Sequence, residues 1–358
     1  MKLLNILFTL FGVVTVIFFL FQILPGDPAR MMMDQNENAE QLRIIKKKYG
    51  FDEPVLKQYL YYLNDLSLIS IHSKNPEKIN FLKNDKYSFI KVADFKNSSL
   101  VIKYPYLRES YQRRGVKVSS IILDTFPNTV ILALSSIIFA TIFGLFLGIL
   151  SAVYKGTFFD NSIQLFSTLG MSMPSFLSSI IFAWVFGFVL ADLTGLNMTG
   201  SLYELDDFGN EYKLQLKNLI LPTVVLGIRP IAVISMMMRN SLIETLKKNY
   251  VITAYAKGLS KSKVILNHCI KNSLNPVVTA LSGWFASLLA GSVFVEYIFG
   301  WNGLGREIVN SLNLLDVPVI IGAVIVVSFS FIIINIFVDY IYKVLDELDY
   351  HPEIVKIE

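Results

Sequence analysis

Side chains that commonly do chemistry are sparse in this chain of 358 residues. His72, His268 and His351 are scattered without metal-ligand spacing. The single cysteine, Cys269, excludes an internal disulfide and any multi-cysteine metal site. No Gly-x-x-x-x-Gly-Lys-[Ser/Thr] phosphate loop and no His-Glu-x-x-His pair occurs, and Gly303-Leu-Gly305 lacks phosphate-loop spacing. ATP chemistry, if used, therefore belongs to another chain. One charged side chain, Arg229, stands inside an apolar run and is followed by Pro230. A cation at that depth is expensive, which makes it a functional candidate by default. It could attract a ligand carboxylate, pair with an acid or cap backbone carbonyls. Glu296 is too shallow to be its obvious partner. Pro174, after Met171 and Met173, suggests a kink with adaptable walls, although plain packing is the simpler reading.

The elements that carry these residues are long apolar blocks. The chain is 53% hydrophobic, and runs of about 18 or more apolar residues read as membrane helices. Six spans are predicted, at about 3–24, 125–154, 162–190, 219–238, 276–299 and 317–342. The first is too long for a signal-peptide core and no small-x-small cleavage site follows, so it reads as a retained helix closed by Pro25-Gly26-Asp27-Pro28. The loop 239–271 carries Arg239, Lys247, Lys248, Lys257, Lys261, Lys263 and Lys271 against one acid, Glu244, which assigns it to the cytoplasm. Counting outward puts both termini and Lys155 in the cytoplasm. The acid-rich segment 191–217 and the long segment 26–120 then fall outside. The latter is basic, but long loops translocate largely regardless of charge. A net charge of +4 gives no argument for nucleic acid.

Residues 26–118 are rich in Lys, Asn, Asp, Tyr and Ser. A helix-like stretch over 39–57 has a charged face (Arg43, Lys46, Lys47, Lys48), and Tyr59, Tyr62 and Leu66 then share one side. The simplest reading is a small cap on the outer helix ends; a docking surface or a linker are the alternatives. Two stripes of small residues spaced by four, Ala140-Gly144-Gly148-Ala152 and Thr279-Gly283-Ser287-Gly291, permit close helix approach. Packing within the chain is the first reading of both. Contact with a second subunit, or a line along a pore, is the other.

The most informative segment is the polar hairpin between the fourth and fifth apolar runs. Leu242, Leu246, Tyr250 and Ala254 are spaced by four and would share a helix face. Gly258 suits a left-handed stop. Ser260 can cap a second helix bearing Val264, Ile265, Cys269 and Ile270. Pro276, 18 positions after Gly258, can open the fifth span. The product is a basic, amphipathic pair of short helices whose small residues Ala254 and Ala256 allow a helix-in-groove contact. On pattern alone, a loop that merely obeys the positive-inside rule fits as well.

Tyr250-Val-Ile-Thr-Ala-Tyr-Ala-Lys-Gly-Leu-Ser resembles the coupling ("EAA") loop of ATP-binding-cassette importer permeases of the dipeptide/oligopeptide and nickel subfamily. Similar matches are Leu24-Pro25-Gly26-Asp27-Pro28-Ala29, Thr125-Phe-Pro127-Asn128-Thr129 and Gly170-Met-Ser-Met-Pro174-Ser-Phe176. To these add Val295-Glu296-Tyr-Ile-Phe299-Gly-Trp301-Asn-Gly303-Leu-Gly305 and Asp339-Tyr-Ile-Tyr342-Lys-Val-Leu-Asp346. Departures are Ile252-Thr253-Ala254 for the acidic triplet, Asn275-Pro276, Trp301-Asn302, Glu347-Leu348 after Leu345-Asp346, and a longer stretch at 31–118.

The resemblance implies an all-α polytopic protein of the type-1 ABC transmembrane fold, with six membrane helices and an extracytoplasmic insertion. Its parts would be a first helix (1–25), the insertion (26–120), a five-helix permease domain (121–346) with its coupling loop (240–275), and a cytoplasmic tail (347–358). It implies a transport subunit of the bacterial inner membrane rather than an enzyme. The implied partners are a homologous permease, two cytoplasmic ATPases carrying ATP and Mg, an external solute-binding protein and lipid, with no cofactor in this chain. Tyr250, Thr253, Ala254, Ala256, Lys257, Gly258, Leu259 and Ser260 would meet the ATPase. Arg229, Pro174, Met171 and Trp284 are candidates for the translocation path, with short peptides as cargo and nickel chelates as the alternative. An ATP-independent channel or secondary transporter, or a membrane scaffold, is the reading of a different class.

Overall fold

The computed structural model describes residues 2–23, 27–33, 38–84, 86–206, 209 and 211–349. The expected turn at Leu24-Pro25-Gly26, Asp207 and the tail from residue 350, with His351, lie outside the described residues. The main helices are α1 (Lys2–Ile23), α2 (Ala39–Tyr49), α3 (Val55–Leu66), α4 (Val118–Val153), α5 (Phe158–Ser172), α6 (Ser175–Val189), α7 (Lys217–Thr245), α8 (Asn249–Ala256), α9 (Lys261–Ser273), α10 (Asn275–Gly291), α11 (Val293–Phe299), α12 (Leu304–Asn313) and α13 (Val317–Asp349). Strands β1 (Ile69–Ser73), β2 (Phe89–Asp94) and β3 (Ser98–Lys103) form an antiparallel sheet in the order β1-β3-β2. Strands β4 (Tyr203–Leu205) and β5 (Tyr212–Leu214) form a hairpin.

Among the described residues α4, α7 and the Val317–Val338 part of α13 are each long and apolar enough to cross a membrane. Two bent pairs pass the same test together: α5 with α6, at 108°, and α9 with α10, at 45°. Phe8–Ile23 of α1 is a shorter apolar helix. The expected kink at Pro174 is a full break. Met173 is extended (φ −75°, ψ 129°), as a residue before proline is driven to be, and α6 starts after Pro174. Helix ends overrun the apolar runs: α4 starts at Val118, before 125, and α7 continues to Thr245, beyond 238. Hydropathy marks the lipid-facing stretch, whereas backbone hydrogen bonding carries a helix on into water.

The chain divides into two compact units, one made of Met1–Thr125 with Glu307–Ser328, the other of Phe126–Arg306 with Phe329–Glu358. In the first unit, the stretch expected to be one helix over 39–57 is two. Asn38 caps α2 by accepting from the Glu40 amide, Lys46, Lys47 and Lys48 occupy its last turn, and Gly50 (φ 76°) ends it. Tyr59 and Tyr62 are buried against Val14, Phe18 and Ile321, as their shared side required. The sheet was not legible. Its buried face carries Ser70, His72, Ser99 and Lys103 while Ile69, Ile71 and Ile102 are exposed, which inverts the apolar-in, polar-out pattern expected of a strand. The Asp316 carboxylate, just before α13, accepts from the Tyr111 amide at 2.9 Å and from the Ser110 hydroxyl.

Asp65 organises this polar interior. Its carboxylate accepts from the Tyr87 hydroxyl at 2.7 Å and from Arg108 Nε at 2.8 Å, while its carbonyl accepts from Lys103 Nζ. The Arg108 guanidinium also covers the Tyr62 ring at 4.8 Å. Burial alone would raise the Asp65 carboxyl, but the charges of Arg108 and Lys86 and the Tyr87 hydrogen bond outweigh it and hold it below the ordinary carboxylate range. A depressed folded-state pKa contributes stability that is present above the unfolded value of about 3.9 and is lost as pH falls through the folded value. Hydrogen exchange of the β1–β3 amides in the full chain, corrected for intrinsic rates, should therefore show protection unchanged from neutral pH down to about pH 5 and falling below about pH 4. Asp65→Asn should remove that acid limb and lower protection at neutral pH. An identical acid limb in the variant would show that another group controls it.

The second unit contains two apolar cores threaded by α7. Leu221, Val225 and Leu226 join Leu132, Ala133, Ala183, Leu288, Val295, Phe299 and Trp301 in one. Ile234, Met238 and Leu242 join Ala140, Ala152, Val251, Ala254, Val264, Cys269 and Val277 in the other. Glycines set the helix spacing. A Cβ on Gly144 would lie 2.7 Å from Ile234 Cγ2. One on Gly148 would lie 2.7 Å from both Met238 Cβ and the Ser235 carbonyl oxygen. The first small stripe thus packs within the chain. The second does not: Gly283 and Gly291 have nothing within 4 Å of a Cβ, Ser287 is exposed, and the Thr279 side chain lies outside the described ones.

Candidate coupling site

The hairpin after α7 is built by three local decisions. Helix α7 stops at Thr245, and Lys248 is extended (φ −73°, ψ 147°), so α8 leaves in a new direction. Lys257, Gly258 and Leu259 donate their amides to the Thr253, Tyr255 and Ala254 carbonyls, at 3.1, 2.9 and 3.3 Å, which closes α8. Gly258 takes φ +81°, the left-handed turn read from the sequence, and nothing lies within 4 Å of a Cβ there. The backbone angle, not crowding, asks for glycine. Ser260 then occupies the cap position of α9, but its side chain makes no cap hydrogen bond, contrary to the expectation. Pro276 lies in the first turn of α10, as expected.

The two arms fold back onto α7. Val251, Ala254, Val264 and Cys269 are buried beside Met238 and Leu242. Ser273 donates to Thr245 Oγ1 at 3.0 Å, and Asn272 donates to the Tyr250 hydroxyl at 2.8 Å, tying the second arm to α7 and to the first arm. Leu242, Leu246, Tyr250 and Ala254 do not share one helix face. The break at 246–248 rotates α8, so Leu242 and Ala254 are buried while Tyr250 is 39% exposed.

Of the eight residues read as the coupling set, Tyr250, Thr253, Ala256, Lys257, Gly258 and Ser260 are exposed, Leu259 is half-buried and Ala254 anchors the arm from beneath. The exposed face has members that sequence reasoning passed over. Ile252 is 59% exposed, Leu266 is 65% exposed, and Tyr255 is exposed beside them. The legible signal was Val251 with Ala254, an i, i+3 pair that marks the inner face and leaves Ile252 and Tyr255 outward.

Two of the translocation candidates, Met171 and Arg229, lie beside the crossing of α5 and α7. Gly170 meets Ile228 closely (2.9 Å to a Cβ), so α5 crosses α7 one residue before both Met171 and Arg229. Met171, Pro174 and Arg229 are exposed in this chain and Trp284 is half-buried. Arg229 makes no hydrogen bond or ion pair with the described residues, so the expected acid partner or carbonyl cap is not found among them.

At the far end of α11 the other matched segments interlock. Glu296 is fully buried; its carboxylate accepts from the amides of Gly305 at 2.7 Å and Arg306 at 3.2 Å and from the Ser292 hydroxyl at 2.8 Å. Trp301 Nε1 donates to the Asn128 carbonyl at 3.1 Å, Asn128 Nδ2 donates to the Asn302 carbonyl at 2.7 Å, and the Leu304 amide donates to Thr129 Oγ1 at 2.8 Å. A Cβ on Gly305 would lie 2.6 Å from Val293 Cα. The Asn128-Thr129 and Glu296–Gly305 segments, far apart in the chain, thus form one clasp.

Comparison with known proteins gives the family of the chain. Residues 144–348 match the family described as binding-protein-dependent transport system inner membrane component, and residues 1–76 match the N-terminal region of such membrane components. The chain is 31% identical over 350 residues to the di/tripeptide transport system permease protein DppB of Pseudomonas aeruginosa, covering 93% of each. It is 30% identical over 345 residues to the glutathione transport system permease protein GsiC of Salmonella typhi, covering 96% of each. The fold is similar to a chain of the inward-facing MetNI methionine ABC transporter, with a TM-score of 0.51 at 15% identity, covering 63% of this chain and 96% of that one. Matches covering 93% and 96% of the chain, together with several apolar helices, place it in the inner membrane, and permeases of this kind leave ATP hydrolysis to partner subunits. The chain belongs to the family of inner-membrane components of binding-protein-dependent transport systems: it is a permease subunit of an ABC importer, a transport component rather than an enzyme.

Proposed function

We propose that this permease forms half of the path by which short peptides enter the cell, by alternating access driven through the α8–α9 hairpin. The observation that carries the coupling role is the hairpin's division of labour. Its inner face is bonded to α7, and its outer face presents Tyr250, Ile252, Thr253, Tyr255, Lys257 and Leu266 uncovered. An uncovered, partly apolar face on a braced element fits a groove on an ATPase. The hairpin and both termini are then cytoplasmic. A homologous permease completes the path, two ATPases supply ATP and Mg, and an external binding protein delivers cargo. The open stripe of Gly283, Ser287 and Gly291 suits contact with that second permease. ATP must favour one of the two states by differential affinity to drive the cycle.

The peptide assignment is supported by the di/tripeptide and glutathione permeases among the relatives and by Arg229, an exposed cation with no partner among the described residues and suited to a peptide carboxylate. Liposomes holding this chain, its permease partner, the ATPases and the binding protein test both points. Di- and tripeptides should be imported with ATP, and Arg229→Gln should lower uptake by about tenfold or more, the scale of one lost charged contact, with ATPase binding unchanged. Undiminished uptake would take Arg229 off the path. Import of nickel chelates but not peptides would overturn the cargo.

A further inference from the structure

Arg239 and Asp160 lie 79 positions apart in the chain and form a two-pronged ion pair. Arg239 Nε and a terminal guanidinium nitrogen donate to the two carboxylate oxygens, each at 2.7 Å. Their side chains are 15% and 1% exposed. Asp160 accepts three more hydrogen bonds: from the Ser151 hydroxyl in the last turn of α4 at 2.5 Å, from the Gly156 amide in the α4–α5 turn at 2.8 Å, and from Gln164 one turn on in α5 at 2.9 Å. One carboxylate thus gathers α4, α5 and α7. A planar guanidinium held by both oxygens fixes direction as well as distance, which a lysine does not.

The position of this cluster matters more than its strength. Arg239 lies six residues before the end of α7, where the hairpin begins. The hairpin is itself bonded to that end through Ser273 and Thr245, and its arms share a core with Met238, Leu242 and Ala152. Force applied to α8 therefore reaches α7 and, by packing on Ala152, the end of α4, while Asp160 ties α4, α5 and α7 by directional bonds. The ligated body has natural limits. Helix α5 ends at the 108° break before Pro174, and α7 contains Pro230, which has no amide for the Leu226 carbonyl, between its two cores. Beyond those points α6 and the outer part of α7 pack in the other core. The arrangement is a stiff inner block joined to an outer block across two proline sites, and such sites are where packed blocks shift.

We propose that Asp160 and Arg239 are positioning residues for energy coupling: they lock α4, α5 and α7 into one lever, so that the hairpin's displacement turns the inner halves of these helices together. This rests on the hairpin reading above. Without the pair, the hairpin still engages the ATPases, but α4 and α5 follow α7 only through packing contacts, which do not fix direction.

The test is the ratio of peptide imported to ATP hydrolysed by the complete transporter in liposomes, alongside co-purification of the ATPases. For Asp160→Asn, ATPase binding should be unchanged, hydrolysis should continue, and the ratio should fall by about tenfold, within the range of coupling-site mutations. Arg239→Lys, which keeps the charge but loses the fork, should fall between this variant and the wild type. Loss of a merely structural contact would lower the amount of assembled complex and leave the ratio per complex intact, so an unchanged ratio overturns the proposal. If Asp160→Asn does not assemble, Ser151→Ala and Arg239→Lys decide by the same ratio: a fall supports the lever, and wild-type ratios overturn it. A wild-type chain that binds no ATPase would instead overturn the hairpin reading, an outcome visible before any variant is measured.

Discussion

Gly258→Pro should leave the permease inserted in the membrane and strip it of its ATPases. Proline holds φ near −65°, whereas position 258 needs +81°, and it removes the amide that donates to the Tyr255 carbonyl at 2.9 Å. The turn joining α8 to α9 cannot form with that residue. The exposed residues on the two arms then lose their common orientation, while the buried anchors of α7 stay in place. Co-purified ATPase should fall by about 30-fold or more, the effect of losing a central binding determinant, and peptide-stimulated hydrolysis should fall with it. Gly258→Ala is the calibrating variant. A Cβ there meets open space, so its only penalty is the left-handed strain of about 1–2 kcal/mol, and binding should weaken modestly. Equal ATPase recovery from wild type and Gly258→Pro would refute the coupling role and revive the channel or scaffold readings.

The second large effect concerns folding. Gly148→Val should cost about 3 kcal/mol or more, because the new Cβ would lie 2.7 Å from the Ser235 carbonyl oxygen and from Met238 Cβ. A backbone oxygen inside α7 cannot turn aside as a side-chain tip can, so α4 and α7 must separate. The yield of monodisperse protein in detergent and its thermal midpoint should both collapse. Gly283→Val is the matched control. It stands in the other glycine stripe, where nothing lies within 4 Å, and the isolated chain should fold as wild type does. Pairing with the second permease proposed above is where Gly283→Val should register. If both variants folded normally, the close α4–α7 approach would not be what glycine serves.

These variants also mark how far residue patterns could be read. The hairpin's turn at Gly258, the break at Pro174 and the opening of α10 at Pro276 were all legible. Each depends on the backbone chemistry of one residue, and glycine and proline act locally. The apolar runs were legible for a similar reason, since lipid imposes a length and a composition on whatever crosses it. The two small stripes show the limit. They share spacing and composition, yet one is jammed against α7 and the other is open, because the difference lies in the neighbouring helix.

The sheet of the segment after α3 was missed because its inward positions carry Ser70, His72, Ser99 and Lys103, and Lys103 finds its partner, the Asp65 carbonyl, 38 positions away. The face of α8 was misassigned because the break at Leu246–Lys248 carries neither proline nor glycine. The pairing of Arg239 with Asp160 and the clasp of Glu296 around Gly305 likewise join residues that no local pattern links. Composition and local backbone chemistry were enough to establish an apolar, helical membrane chain with a hinged basic hairpin. Which side of that hairpin is free, which glycines are packed and which charges are spent on one another were decided only by tertiary structure, because each depends on what a second segment brings within hydrogen-bonding or van der Waals range.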